Sequence, residues 1–375
     1  MKIGFLIEYF YPIYGGAENN CYYLARELAK KHDVHVYTSL IKGTKKYEGI
    51  DNIKIHRYKP LFRYRYYISL TPGLLKAVIN AKIDILHVHS LGFLYHDFIV
   101  LLKKLGGTKI VNTPHGPFMA LNSYSKKLQI IKKIIEKLEK PINNLYDNII
   151  QVNPYQYKWM TILGIKKSKI KFIPNGINEN AFEKINVNLK FKKKLENKKI
   201  VSYIGRIDRY KGLDQVIKIL PKFKDLIFII IGSDAGDKER LVSLSRKLKV
   251  DKQIIFTGKI SEKKKLSILD ISDSFVMPSE WEAFSIVILE AMARGIPVIS
   301  TKTEGGMFLI KDYKNGFLYD FNNIKALEEK ISVILKNKDL REKMSSNNMK
   351  KAKSFLWRNI AKDLEKLYYS LINSK

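Results

Sequence analysis

Cysteine is almost missing from this chain, with Cys21 alone in 375 residues. One thiol excludes an internal disulfide framework and any cysteine-based zinc site within a single chain, and it suits a reducing compartment. No uninterrupted apolar stretch approaches the ~20 residues of a membrane span. Met1 to Ile7 runs directly into a short apolar segment with no cleavable signal pattern, so a cytoplasmic protein is expected. Also missing are G-x-G-x-x-G and G-x-x-x-x-G-K-[ST], which removes the main support for nicotinamide dinucleotide and P-loop nucleotide binding. No Asp-x-Asp stands at a strand end to hold a cation against a diphosphate. The histidines His32, His35, His56, His87, His89, His96 and His115 show no spacing tied to carboxylates, so no protein-bound metal is expected.

Acidic residues are scarce as well, 36 against 68 Lys and Arg, for a net charge of +32. Such an excess suits nucleic acid, a membrane surface or an anionic substrate. Its distribution is even: residues 1–175 hold 28 basic and 11 acidic side chains, and residues 176–375 hold 40 and 25. Neither half is a basic tail, and most of the excess reads as lysine on solvated helix faces.

What the chain does have is alternation, and 46% apolar residues are enough to fill two cores. Short apolar runs at Lys2–Ile7, Val34–Thr38, Ile53–His56, Ile83–His89, Lys109–Asn112 and Asn148–Val152 are separated by helical patterns such as Gly16–Lys31. The second half repeats this with Lys199–Ile204, Leu226–Ile231, Gln253–Thr257, Ser274–Met277 and Pro297–Ser300. Strands separated by helices predict an α/β fold of two doubly wound parallel sheets. The turn signal Pro174-Asn175-Gly176, followed by polar residues to Lys199, places the boundary. The expected domains are 1–175 and 176–355, with a last helix, 356–375, packing back on the first and presenting Trp357, Leu364 and Tyr368 on one inward face.

Ligands of such sheets bind beyond the carboxyl ends of the strands, and the chemistry-bearing residues fall there. Glu282 and Glu290 stand eight residues apart across a strand end, a turn and a helix, with Glu290 expected two turns in. Ionised carboxylates accept hydrogen bonds from vicinal hydroxyls, and the amides of Phe284, Ser285 and Ile286 open the helix toward an anion. Arg206 and Lys211 frame a turn and suit a diphosphate, Arg as a paired fork and Lys as a mobile charge. Gly15 and Gly16 lead into a helix N-terminus, where backbone approaches a phosphate closely; a plain tight turn explains them as well. His115 lies in Asn112-Thr113-Pro114-His115-Gly116, a constrained turn in which an imidazole meets a sugar hydroxyl or plays a structural part.

With these motifs the chain resembles the family 4 retaining glycosyltransferases. They have the GT-B architecture, two Rossmann-like doubly wound parallel-sheet domains facing across a cleft. The most specific match is Glu-x7-Glu, Glu282 and Glu290, within Pro278-Ser279-Glu280-Trp281-Glu282-Ala283-Phe284-Ser285 and ahead of Glu290-Ala291-Met292-Ala293-Arg294-Gly295. Gly15-Gly16, Thr113-x-His115-Gly116, Pro174-Asn175-Gly176-Ile177, Gly205-Arg206 with Lys211-Gly212, and Phe256-x-Gly258-x-Ile260 support it. The resemblance implies that Arg206 and Lys211 bind the donor diphosphate, Glu290 the ribose and Glu282 the transferred sugar. It places Gly16 at the distal phosphate, His115 near the anomeric carbon, and Lys259 and Ile260 at the base. The donor site would then comprise Gly15, Gly16, Arg206, Lys211, Lys259, Ile260, Glu282, Ala283, Phe284, Ser285, Ile286 and Glu290. Where the family often has Glu-Gly-Phe-Gly, this chain has Glu282-Ala283-Phe284-Ser285. The implied reaction is metal-independent transfer from a nucleoside diphosphate sugar, UDP or GDP, to an acceptor hydroxyl with retention, and no cofactor is implied.

The acceptor reading points to a lipid-linked saccharide, a glycolipid or a cell-envelope polysaccharide precursor. Arg57 to Tyr67 interleaves cations with aromatics and lacks an acid, which favours an anionic bilayer. Lys126 to Lys140 sets lysines among Leu128, Ile131, Ile135 and Leu138; it reads first as a helix packing inward and second as a bilayer contact. A sugar-nucleotide epimerase or a phosphorylase on the same architecture, and a basic nucleic-acid-binding protein, are the competing readings. No specific nucleic-acid partner is expected.

Overall fold

The computed structural model describes residues 1–13, 15–64, 68–115, 126–183, 185 and 195–374. The chain forms two compact units, one of Met1–Gly176 with Trp357–Lys375, the other of Ile177–Leu356 among the described residues.

The first unit is built on an eight-stranded sheet. Its strands are β1 (Lys2–Leu6), β2 (Asp33–Ser39), β3 (Tyr47–Ile50), β4 (Ile53–Tyr58), β7 (Ile85–Val88), β8 (Lys109–Asn112), β9 (Asn148–Gln151) and β10 (Ile170–Phe172). They lie in the order β10-β9-β8-β7-β1-β2-β4-β3, so the winding reverses between β1 and β7. All pairs are parallel except β3 with β4. That hairpin was not read from the sequence, yet its signal is there: Asp51 and Asn52 form a two-residue turn with φ of 51° and 65°, which Asp and Asn tolerate. A small antiparallel pair, β5 (Phe62–Tyr64) and β6 (Ile68–Leu70), lies apart from the sheet. The helices are α1 (Gly16–Leu28), α2 (Pro72–Asn80), α3 (Leu94–Leu105), α4 (Lys126–Asn143) and α5 (Tyr157–Ile162).

The second unit has a six-stranded, wholly parallel sheet. Its strands are β11 (Lys199–Ile204), β12 (Leu226–Ile231), β13 (Ile254–Gly258), β14 (Ser274–Met277), β15 (Val298–Thr301) and β16 (Gly316–Tyr319), ordered β13-β12-β11-β14-β15-β16. Here the winding reverses between β11 and β14. Its helices are α6 (Leu213–Ile219), α7 (Lys238–Lys247), α8 (Glu262–Asp270), α9 (Ile286–Ala293), α10 (Glu304–Leu309), α11 (Ile324–Lys336) and α12 (Lys338–Lys353). Strand β12, Leu-Ile-Phe-Ile-Ile-Ile, is buried at every position, as a strand covered on both faces must be.

The last helix, α13 (Trp357–Asn373), belongs to the first unit and packs on α1. Trp357, Ile360, Ala361, Leu364 and Tyr368 are buried at helical spacing. Trp357 stacks on Tyr23, Glu365 lies 2.7 Å from His32, and the Tyr368 hydroxyl lies 2.5 Å from Nδ1 of His87.

Candidate active site

In the second unit the site residues gather where the winding reverses. The loop after β11 carries Arg206 and Lys211, the loop after β14 carries Glu282, and Lys211 Nζ donates to Glu282 Oε1 at 2.6 Å. Two backbone devices bring them together. Gly212 ends the Arg209–Lys211 turn at φ 63°, and a Cβ there would stand 2.3 Å from the Pro278 carbonyl oxygen, so only glycine lets the two loops close. The Glu280 amide then donates to the Tyr210 carbonyl at 2.7 Å. Ser279 Oγ donates to Glu282 Oε1 at 2.8 Å, and Lys211 Nζ sits 4.6 Å from the Tyr210 ring centroid. Burial would lower the Lys211 pKa, but the Glu282 carboxylate and Tyr210 more than offset it, and the ammonium is held charged. Arg206 lies at the exposed rim, its Nη2 donating to the Tyr210 hydroxyl at 3.2 Å.

Glu290 has a separate cation. Lys265, on α8, donates to its Oε2 at 2.7 Å and also meets Glu262 at 2.8 Å. Burial raises the Glu290 pKa and Lys265 opposes that rise. The sequence reading did not find Lys265; its signal is the i,i+3 spacing to Glu262 in a helix just after the Gly258 loop. Because α9 begins at Ile286, Glu290 stands little more than one turn into the helix, not two.

Ser285 caps α9 in the left-handed region, φ 65°, and its hydroxyl is buried without a described hydrogen-bond partner. A glycine would be unstrained there. The Phe284 side chain is no candidate for ligand contact: it is 2% exposed and packs against the Phe308 and Phe355 rings, 5.9 and 6.2 Å away between centroids, so only its backbone can face a ligand. Ala283 and Ile286 are half-buried beside it. Lys259 is exposed and Ile260 half-buried in the loop after β13, which Gly258 opens at φ 67°.

In the first unit the point of reversal is occupied by histidines. The His87 and His89 rings lie 4.4 Å apart between centroids, tilted by 32°, and both contact Phe5. His89 Nδ1 lies 2.9 Å from His115 Nε2, and His87 Nε2 lies 2.8 Å from Thr113 Oγ1. Burial lowers the pKa of His115 and of His87 to about 3, so both rings are neutral near pH 7. His115 holds φ 54°, while Gly116 lies outside the described residues. Gly15 precedes α1 in extended backbone and Gly16 is exposed; a Cβ at Gly16 meets no described atom within 4 Å, so packing within the unit does not require this glycine.

A further group was not read from the sequence. Glu8, 1% exposed just beyond β1, accepts from Ser39 Oγ at 2.9 Å, Arg63 Nη2 at 2.9 Å and Ser69 Oγ at 3.0 Å, with His96 Nε2 at 3.6 Å. Burial would raise its pKa, but His96, Ser39 and Ser69 reverse the shift. Within Arg57 to Tyr67, two of the cations are engaged inside the unit. Arg57 is buried, bonds the Lys45 and Tyr11 carbonyls and pairs with Glu48 at 2.8 Å. Arg63 is turned to Glu8, and residues 65–67 lie outside the described residues. The two described arginines therefore serve the fold.

Among the described residues no group of three or more His, Cys, Asp or Glu side chains could hold a metal ion, and no helix is long and apolar enough to cross a membrane.

Two doubly wound sheets, each with polar residues at its winding reversal, define the GT-B class, and solved structures agree. Sucrose-phosphate synthase from Thermosynechococcus elongatus matches over the whole of both chains with a TM-score of 0.81 at 19% identity. Anabaena Alr3699/HepE, solved with UDP and glucose, matches over 99% of this chain and 100% of that one with a TM-score of 0.79 at 19% identity. Residues 14–181 match Glycosyltransferase Family 4 and residues 186–351 match Glycosyl transferases group 1; the chain belongs to the family 4 glycosyltransferases. Among curated relatives, N-acetyl-alpha-D-glucosaminyl L-malate synthase of Bacillus anthracis is 25% identical over 99% of this chain and 97% of its own length. Spore coat protein SA of Bacillus subtilis is 26% identical over 91% of each.

Proposed function

We propose that this glycosyltransferase moves a sugar from a nucleoside diphosphate sugar, of the UDP or GDP type, to an acceptor hydroxyl with retention at the anomeric carbon and without a metal ion. The carrying observation is the Lys211–Glu282 pair, 2.6 Å apart where the sheet of the second unit reverses its winding. In this reading Lys211 and Arg206 neutralise the diphosphate, Glu282 accepts hydrogen bonds from the sugar hydroxyls and Glu290 from the ribose. The backbone at Gly258 to Ile260 faces the base, and the amides of Ser285 and Ile286 face an anionic oxygen. His115, neutral, meets the donor sugar, and Gly16 leaves room for the distal phosphate.

The bond between the anomeric carbon and the phosphate oxygen breaks, and the acceptor oxygen bonds to that carbon on the same face. The acceptor proton passes to the departing phosphate. The protein contributes orientation and charge stabilisation. Proteins of this fold solved with UDP support the donor class, and the acceptor class is a lipid-linked saccharide, glycolipid or polysaccharide precursor. The test is a panel of UDP-, GDP-, ADP- and dTDP-sugars, read by thermal stabilisation and slow donor hydrolysis, with the product anomer assigned by NMR. One donor giving the retained anomer is expected; an inverted product or silence from every donor overturns the reading.

A further inference from the structure

Helix α8 carries Lys263, Lys264 and Lys265 in a row, and the three are placed differently. Lys263 and Lys264 are exposed, whereas the Lys265 side chain is only 13% exposed. A lysine stem ordinarily covers apolar surface and carries its ammonium out to water. This one carries it inward, to Glu290 Oε2 of α9 at 2.7 Å and to Glu262 Oε1 at 2.8 Å. Burial would lower the Lys265 pKa, but Glu290 and Glu262 more than offset it.

The contact is not needed to join the two helices. At the C-terminal end of α9, Arg294 already meets Asp270 of α8 through Nε and Nη2 at 2.5 and 2.6 Å, a two-point fork, and its Nη1 donates to the Ala181 carbonyl at 3.0 Å. What Lys265 adds falls on the carboxyl group itself. It takes Oε2, and among the described residues Oε1 accepts no hydrogen bond. A carboxyl group held by one oxygen presents the other in a single direction. Without the cation, burial favours the protonated form, in which one oxygen becomes a donor, and the side chain is free to change rotamer.

We propose that Lys265 is a positioning residue of the donor site: it fixes the Glu290 carboxylate so that Oε1 meets a ribose hydroxyl, and through Glu290 it sets the preference for a ribonucleotide over its deoxy analogue. This rests on the transferase reading, which gives Glu290 the ribose. Glu262, the second partner, lies two residues beyond Ile260. The same ammonium therefore ties the ribose carboxylate to the loop that this reading gives to the base.

The test is calorimetric titration of the full chain with UDP and with GDP, each beside its 2′-deoxy and 3′-deoxy analogues, read as the ratio of affinities within one protein. A general loss of stability leaves that ratio unmoved. A hydrogen bond to a charged group is worth about 10- to 100-fold, so the parent should prefer UDP or GDP over one of its deoxy analogues by about tenfold or more. Lys265→Met should lower the ratio to about threefold or less, the worth of a neutral hydrogen bond, by weakening the ribonucleotide. In a Glu290→Gln background the same change should alter the ratio by less than about twofold. Glu262→Gln, which removes an exposed partner, should also stay within about twofold. A parent that does not discriminate, a ratio in Lys265→Met equal to the parent's, or a full effect of Lys265→Met in the Glu290→Gln background would overturn the inference and leave the donor class in place. A parent that binds neither UDP nor GDP overturns the transferase reading and this inference with it.

Discussion

The two points of winding reversal are built from opposite materials. In the second unit each carboxyl group has its own lysine, Lys211 for Glu282 and Lys265 for Glu290. In the first unit the histidines are neutral, His87, His89 and His115 losing their protons to burial, and the charge is confined to Glu8, which is buried against Arg63 and two serine hydroxyls. A charged pair can exchange its partner for an anion of the same sign and geometry. A neutral imidazole positions hydroxyls and costs little to desolvate. In the proposed function this difference gives the second unit the anion and the first the hydroxyls.

The strongest way to break the comparison is Lys211→Met. Loss of a preorganised charge should lower kcat/KM by about 100- to 1,000-fold, read in a donor-turnover assay; activity within about threefold of the parent would remove Lys211 from the mechanism. Acid should separate the units next. The folded pKa of His87 is about 3, below the unfolded value of about 6.5, so its contribution is complete above pH 6.5 and is lost as pH falls toward 3. Urea unfolding at pH 5 should show the first unit weakened by about 2 kcal/mol relative to pH 6.5 through His87 alone, with equal sensitivity in both units counting against the contrast. A smaller effect is expected of Glu290→Gln, about tenfold in donor KM with kcat nearly kept, and a fall in kcat alone would move Glu290 from binding to chemistry. The smallest is Ser285→Gly, which should raise stability by about 1 kcal/mol by relieving the left-handed backbone and the buried hydroxyl; a lower melting temperature would mean that the serine has a partner in the folded state.

The alternation of apolar runs made both sheets legible, because strands covered on two faces leave continuous hydrophobic stretches. Short pieces such as β3, β5, β6 and β16 did not stand out, being only three or four residues long. In the site, Arg206, Lys211 and Glu282 could be found because each lies within seven residues of a strand end, and Glu290 because of its fixed spacing from Glu282. Glu8 with Arg63 and Ser69 could not, since 55 and 61 residues separate the partners and no local pattern joins them. Phe284 lies inside the most specific motif, and its ring belongs to the core, which leaves its backbone for a ligand. On α4, Leu138 is 53% exposed, while the side chains of Leu128, Ile131 and Ile135 lie outside those described.

Helix α13 ties the order of synthesis to the order of folding. Tyr368 reaches His87 across 281 residues, and Trp357 covers Tyr23. A ribosome therefore delivers every residue of the second unit before it delivers the final piece of the first. The unit begun earliest waits with an uncovered apolar groove, and it closes only after its younger neighbour has had all of its chain to fold.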